Sequence, residues 1–275
     1  MELESNLWTG GQISLRTGCV VADNPSPMTF TGTNTWIISE PGCSVCAVVD
    51  PGPESPAHLE NIRAACEGIG CTVGAILITH EHLDHDESAP HLSRITGAAI
   101  YSRNEGNLSD GRFAVPGGGP VVHIMSLPGH SGDSVGIGVP ADAVMLTGDM
   151  IFLQSPTVIC APDGVLADYL DSLYRLQRAV VECGIERLLP GHGPVIDDPI
   201  SQIDFAVAHR GKRLAQIRRV LAEGVAADLD SIVAAVYADI NPDLRSAAQL
   251  SVQSQLRYLI DSGDPCLSGI AEDSG

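Results

Sequence analysis

The chain has 275 residues, 44% of them hydrophobic and 18% charged, a composition that excludes global disorder and allows a substantial buried core. Fifteen basic residues against 34 acidic ones leave a net charge of −19, and Lys212 is the sole lysine, which disfavours a broad electrostatic grip on nucleic acid. The acidity is uneven, with 8 basic and 24 acidic residues before position 200 and 7 and 10 after it.

The first twenty residues contain no basic segment followed by an apolar one, and nowhere does an apolar run reach the roughly 18 residues of a membrane span. A soluble, cytoplasmic protein with no membrane partner is therefore expected. The eight cysteines (19, 43, 46, 66, 71, 160, 183 and 266) are scattered along the chain and read as reduced thiols rather than a disulfide frame. Cys43-x-x-Cys46 has no second Cys/His pair at zinc-finger spacing and reads as structural.

In chain order, strands are expected at Thr35–Ile38, Val45–Asp50, Ala75–Thr79, Ala98–Tyr101, Val121–Ser126, Val135–Val139 and Ala143–Thr147. A helix begins at Ser55-Pro56, places Leu59, Ile62, Cys66 and Ile69 on one face and stops at Gly70. A second is expected from about Asp163 to Cys183, its apolar stripe formed by Leu166, Leu170, Leu173, Leu176, Val180 and Cys183. The Gly-rich stretch Val115–Pro120 lacks the Gly-Lys-Ser/Thr ending of a phosphate loop and reads as a plain connection. After Asp197-Asp198-Pro199 the strand signal fades, and helices are expected near 201–223, 229–238 and 244–262, ahead of a polar tail Ala271–Gly275. The alternating first part predicts an α/β domain over 1–200, and the rest a small helical domain over 201–275.

The chemistry concentrates after the strand Ala75–Thr79. There His80-Glu81-His82-Leu83-Asp84-His85 puts three imidazoles and a carboxylate within six residues where a strand opens into a loop, the arrangement of a metal-ligand cluster. His130 in Pro128-Gly129-His130, Asp149 in Gly148-Asp149 and His192 in Pro190-Gly191-His192 follow other apolar runs, each beside a glycine that permits close backbone approach.

In this order the residues resemble the metallo-β-lactamase superfamily, with its His-x-His-x-Asp-His motif followed by a histidine, an aspartate and a last histidine. The resemblance covers about residues 20–200 and implies an αββα sandwich. It also implies a hydrolase with two divalent ions, one held by His80, His82 and His130, the other by Asp84, His85 and His192, with Asp149 between them. Asp50, in Val49-Asp50-Pro51-Gly52, would orient a ligand, and Asp84 would double as general base to a hydroxide shared by the ions. The all-nitrogen-and-oxygen donor set suits zinc and tolerates manganese or iron.

Having both the bridging aspartate and His85, the chain is similar to the hydrolase branches rather than to class B β-lactamases. Pro190–Ile196, His209-Arg210 and the helices ending at Leu256–Leu259 resemble the β-lactamase-like protein 2 branch, which appends a winged-helix-like domain and includes an endoribonuclease for single-stranded RNA. That resemblance implies phosphodiester cleavage of single-stranded RNA, with thioester or ester hydrolysis of the glyoxalase II kind as the alternative and a non-catalytic scaffold as the third reading. Two departures stand out: Asp86-Glu87-Ser88 follows His85 where relatives carry x-Gly-Gly, and Ser134 stands where many have histidine. The two acidic residues would either repel a polyanion or cap the next helix. Arg210, Lys212, Arg213, Arg218 and Arg219 are the candidate RNA contacts, against a solvated helix face as the plainer reading; no aromatic residue interleaves with them to stack bases.

Overall fold

The computed structural model describes residues 8–224 and 228–265. Residues 1–7, Cys266 and the tail Ala271–Gly275 lie outside the described residues. Within them the strands are β1 (Gly11–Gln12), β2 (Thr17–Val21), β3 (Asn34–Ser39), β4 (Val45–Val49), β5 (Thr72–Leu77), β6 (Ala99–Tyr101), β7 (Gly111–Ala114), β8 (Val121–Ser126), β9 (Val135–Val139), β10 (Val144–Gly148) and β11 (Arg187–Pro190). The helices are α1 (Pro56–Gly68), α2 (Leu83–Asp86), α3 (Ala89–Thr96), α4 (Leu166–Cys183), α5 (Pro199–Ala222), α6 (Leu229–Val236) and α7 (Arg245–Asp261).

The strands form two sheets, ordered β1-β2-β3-β4-β5-β6 and β11-β10-β9-β8-β7. Antiparallel pairing gives way to parallel pairing at β4·β5 and β5·β6 in the first and at β10·β11 in the second. Because side chains alternate along a strand, each strand feeds two layers. Trp36, Ile38, Ala47, Val49, Ala75 and Leu77 of the first sheet meet Val122, Ile124, Ile137, Val144, Leu146 and Leu189 of the second in one buried cluster. Their neighbours Ile37, Cys46, Val48 and Ile76 turn the other way and pack under α1 and α3 with Leu59, Ile62, Cys66 and Leu92. Met145 and Leu188 face outward from the second sheet against Leu166, Leu173 and Leu176 of α4. The result is a helix–sheet–sheet–helix stack, the αββα sandwich expected.

Local chemistry sets the element ends. Ser55 accepts a hydrogen bond from the His58 N–H and Pro56 opens α1, while Asp198 caps α5 by accepting from Ser201 N. The helix expected from Asp163 starts later, at Leu166, because the 160–165 segment turns sharply, with Gly164 N donating to Cys160 O and Val165 N to Gly129 O. The Val115–Pro120 connection joins β7 to β8.

The expected boundary at residue 200 falls one residue inside α5. The buried cluster beneath α4 continues through Ile203, Ala206, Leu214 and Ile217 of α5, Ile232 and Val233 of α6 and Val252 and Leu259 of α7. Beyond β11 the described residues hold helices and no strand, so a winged-helix-like wing is not among them. No described helix is long and apolar enough to cross a membrane.

Candidate metal centre

All seven proposed ligands sit where strands end on one edge of the sandwich. His80, His82, Asp84 and His85 follow β5, with the last two on α2; His130 follows β8, Asp149 follows β10 and His192 follows β11. Their ligand atoms fall into three overlapping groups, each within 4.8 Å: His80, His82 and His130; His80, His85 and Asp149; Asp84, His85 and His192. The backbone is shaped for this convergence. A Cβ on Gly191 would lie 2.4 Å from Asp149 Oδ1 and 2.7 Å from His85 Cε1, and one on Gly129 would lie 2.2 Å from Tyr169 Cα.

The five imidazoles share one property. Each has one ring nitrogen hydrogen-bonded to a group outside the cluster, which sets the tautomer and turns the other nitrogen inward. His130 Nδ1 donates to Val158 O (2.8 Å), His192 Nδ1 to Gly32 O (3.3 Å), His85 Nδ1 to Asp50 Oδ2 (3.0 Å) and His82 Nε2 to Asp163 Oδ2 (3.2 Å). Thr79 Oγ1 donates to Asp50 Oδ2 (2.6 Å) and so accepts from His80 Nδ1 (3.0 Å). The inward atoms then face one another: His82 Nδ1 lies 3.1 Å from His130 Nε2, and His85 Nε2 lies 3.2 Å from His192 Nε2. At the His82–His130 contact two lone pairs aimed at one point repel unless a cation stands between them, and about 3.4 Å is the edge of a tetrahedron of nitrogens around zinc. His80 Nε2 is buried without a hydrogen-bond partner, the position of an atom that needs a metal. The residues therefore fit divalent ions.

Asp50, expected to orient a ligand, accepts three hydrogen bonds at its carboxylate. Its backbone is left-handed (φ 51°), an unfavourable conformation for a residue with a Cβ, and this points the carboxylate at Thr79 N (2.8 Å), Thr79 Oγ1 and His85 Nδ1. Asp163 was not among the candidates. It holds His82 and also accepts from Gly132 N (3.1 Å), and reading it as the start of a helix concealed it.

Electrostatics divide the cluster. Burial and neighbouring His85 hold the His80 pKa well below the ordinary 6.5, and burial lowers His130 likewise. Burial also opposes charge on His85 and His192, but Asp149 outweighs it, raising His85 well above 6.5 and His192 to about 9. Asp149 and Asp84 feel an upward push from burial that contact with these two histidines more than cancels, so both carboxylates remain ionised. Asp84 accepts from His192 Nε2 at 3.2 Å, and its side chain is 36% exposed, more open than that of Asp149.

The acidic pair beside the motif faces elsewhere. Glu87 accepts from Glu54 N (2.9 Å), Asp86 ends α2, and the N-cap position of α3 is Ser88, so neither acid caps α3. Ser134 bonds Ser131 Oγ (2.6 Å) within the His130 loop. Cys46 is buried with its sulfur 3.6 Å from that of Cys66, in keeping with a structural thiol. The five C-terminal cations do not form one face. Lys212 and Arg219 are exposed, Arg218 Nε donates to Asp264 Oδ2 (2.7 Å), and Arg210 and Arg213 turn inward. No aromatic residue interleaves with these cations in sequence, but other elements bring rings to two of them: Arg210 lies over the Tyr169 ring (5.0 Å) and Arg213 over Tyr237 (4.2 Å).

The cluster opens into a cavity of about 1000 Å³ bounded by the loops after β2, β8 and β10 and by α5, α6 and α7. Beside the ligands its wall is aromatic, with Phe152 5.8 Å from the His192 ring and Phe30 packed edge-on against Phe152. Farther out Pro156, Tyr237, Ile240 and Leu244 line it.

With that geometry in hand, comparison with known proteins is direct. The family model of the metallo-beta-lactamase superfamily matches residues 28–109, which include the His80–His85 motif. Over that stretch the chain resembles the metallo-β-lactamase superfamily. It is 27% identical over 267 residues to the "Beta-lactamase-like protein 2 homolog" of Caenorhabditis elegans, covering 92% of this chain and 85% of the relative. It is 27% identical over 217 residues to the "Atrochrysone carboxyl ACP thioesterase" of Aspergillus terreus, covering 77% and 67%. Among solved structures, a beta-lactamase domain protein from Burkholderia ambifaria shares the fold with a TM-score of 0.73 at 18% identity, over 96% of this chain and 90% of that one. The chain thus shares the fold of these proteins and is similar in sequence to members of that superfamily, and its histidine and aspartate groups are compatible with divalent metal.

Proposed function

We propose that the protein is a dinuclear metal-dependent hydrolase of a thioester or ester with a largely apolar acyl group. The observation that carries this reading is the roughly 1000 Å³ cavity, walled by Phe30, Phe152, Pro156, Tyr237, Ile240 and Leu244, that opens directly on His130, Asp149 and His192. An acyl chain fills the apolar part of such a space and leaves water behind. The relative named as an acyl-carrier-protein thioesterase supports the same class.

In this reading His80, His82 and His130 would hold one ion and Asp84, His85 and His192 a second, with Asp149 available to both and zinc the metal that suits the donor set. Bound there, the pair supplies a nucleophile at neutral pH and offsets the negative charge that develops on the carbonyl oxygen. The chain's own residues do the rest. Phe30 and Phe152 exclude water beside the reacting carbonyl, Asp50 and Asp163 fix the rings of His85 and His82, and Asp84 Oδ2, held ionised by His192 and open to the cavity, takes up the proton. Single-stranded RNA is the rival substrate; its five candidate cations do not form one face, and Arg218 is paired with Asp264, so a track for an extended polyanion is lacking among them.

A panel of zinc-loaded assays with octanoyl-N-acetylcysteamine, S-lactoylglutathione and a single-stranded RNA tests the proposal. Octanoyl thioester turnover well above the RNA rate is expected; RNA cleavage with no thioester turnover overturns it.

A further inference from the structure

The wall of the same cavity carries two cations, Arg210 and Arg213, that no described carboxylate approaches within 4 Å. Arg210 and Arg213 lie three residues apart on α5 and so project to one side of the helix. Arg210 is 3% exposed and bonds only a main-chain carbonyl, that of Thr157. Arg213 Nη1 donates to Val236 O (2.8 Å) and Gln216 Oε1 (2.9 Å), while its Nε is buried without a partner. Among the described residues neither has a carboxylate within 4 Å, although Arg16, Arg63, Arg103, Arg218 and Arg257 all do.

A guanidinium taken out of water without an anion costs several kcal/mol, and two neighbours of like charge cost more. In a chain of net charge −19, with 34 carboxylate side chains available, that pairing is withheld where the cavity wall meets the ligand space. The adjoining His209 records the resulting potential: burial first, then the charges of Arg210, Arg213 and Lys212, push its pKa down to about 4, and its Nδ1 is buried without a partner. Asp239, also on the cavity wall, is exposed, and Asp163 is engaged by His82.

We propose that Arg210 and Arg213 form an anion-recognition subsite, so that the substrate is an apolar thioester or ester bearing a second, anionic oxygen group that supplies their missing counter-charge. The inference rests on the hydrolase reading above and narrows it. Two sources of the group share this chemistry: a carboxylate at the far end of the acyl chain, or a phosphate on the carrier side of the thioester. Both are planar or tetrahedral oxyanions that guanidinium donors match, and stacking on Tyr169 and Tyr237 holds the donors in place before binding.

Three thioesters separate the cases: octanoyl-N-acetylcysteamine, neutral throughout; the mono-N-acetylcysteamine thioester of suberate, with a terminal carboxylate; and octanoyl-coenzyme A, with carrier phosphates. The wild-type enzyme is expected to favour one anionic substrate over the neutral one by about tenfold or more in kcat/KM, mainly through KM, as a charge-assisted hydrogen bond allows. Arg213→Gln is expected to collapse that ratio, and Arg213→Lys to restore part of it. A folding defect lowers all three rates together and leaves the ratio intact, so the ratio reports the subsite. Equal treatment of the three substrates by the wild type, or an unchanged ratio in Arg213→Gln, overturns the inference. Turnover of the neutral thioester judges the hydrolase reading separately. Should no thioester react, calorimetry on the metal-free chain still decides: suberate or inorganic phosphate binding that weakens tenfold in Arg213→Gln supports the subsite, and binding equal in both proteins contradicts it.

Discussion

At the scale of single residues, the histidines crowded at one strand end are held in orientation by partners from distant parts of the chain. Asp163 lies 81 positions from His82, and its role depends on a turn that only the folded 160–165 segment forms. Asp84→Asn keeps an oxygen donor but cannot take a proton, so it is expected to lower kcat by 10²-fold or more while most bound metal remains; His80→Ala is expected to lose metal outright. Elemental analysis beside kcat separates the two, and an Asp84→Asn enzyme of near wild-type kcat removes Asp84 from the base role. The metal-free site also makes a thermodynamic prediction. His85 is held above its ordinary pKa and His192 at about 9, so both carry protons at pH 7 that metal must displace, while the lowered His80 and His130 carry none. Zinc binding at pH 7 should therefore release roughly one to two protons per chain and tighten as pH rises toward 9. Calorimetry in buffers of different ionisation enthalpy measures the number, and zero release contradicts it.

Among elements, periodicity revealed what burial enforces. The β3–β5 and β8–β10 runs and helices α1, α4, α5, α6 and α7 emerged within a few residues of their positions, because each presents one face to a core. β2 and β7 escaped notice: β2 begins Thr17-Gly18, and β7 is a four-residue edge strand with little buried side chain. α1 also brings a buried titratable group into the fold. His58 Nε2 lies 2.8 Å from Thr35 Oγ1, which itself donates to Asp50 O, so the ring supplies the N–H there and leaves Nδ1 buried with no acceptor for a second proton. Burial accordingly lowers its pKa from 6.5 to about 4. The unfolded chain binds this proton near pH 6.5 and the folded chain only near 4, so the stability carried by the neutral ring is complete above pH 6.5 and lost as pH falls toward 4, on the order of 3 kcal/mol in all. Denaturant melts of His58→Gln should show a shallower loss between pH 6.5 and 4 than wild type. Parallel pH profiles would contradict this assignment.

For the whole molecule, composition indicated an α/β body and a helical remainder, but it could not show that the two share a core. Leu173 and Leu176 of α4 belong to the same buried cluster as Ile203, Ile217, Val252 and Leu259, and α5 to α7 supply one wall of the cavity. A chain ending at residue 200 would expose much of that cluster, since each large side chain contributes about 1.5–3 kcal/mol when buried. Its expected fate is aggregation or a strongly lowered melting temperature rather than an active minimal enzyme; a stable, active truncation would establish the first 200 residues as independent. The charge split along the sequence likewise suggested a surface for polyanions in the C-terminal part, yet folding turns two of the five clustered cations into the substrate space and pairs a third with Asp264. Sequence distance cannot report which side of a helix faces a cavity built by another segment. The account as a whole, a two-metal hydrolase whose apolar cavity holds an acyl group, is tested most directly by titrating zinc into the metal-free protein while following hydrolysis of octanoyl thioesters, neutral and anionic. Turnover that rises with bound zinc and levels off at two equivalents per chain is the predicted result; a plateau at one equivalent, or no thioester turnover at any loading, would contradict it.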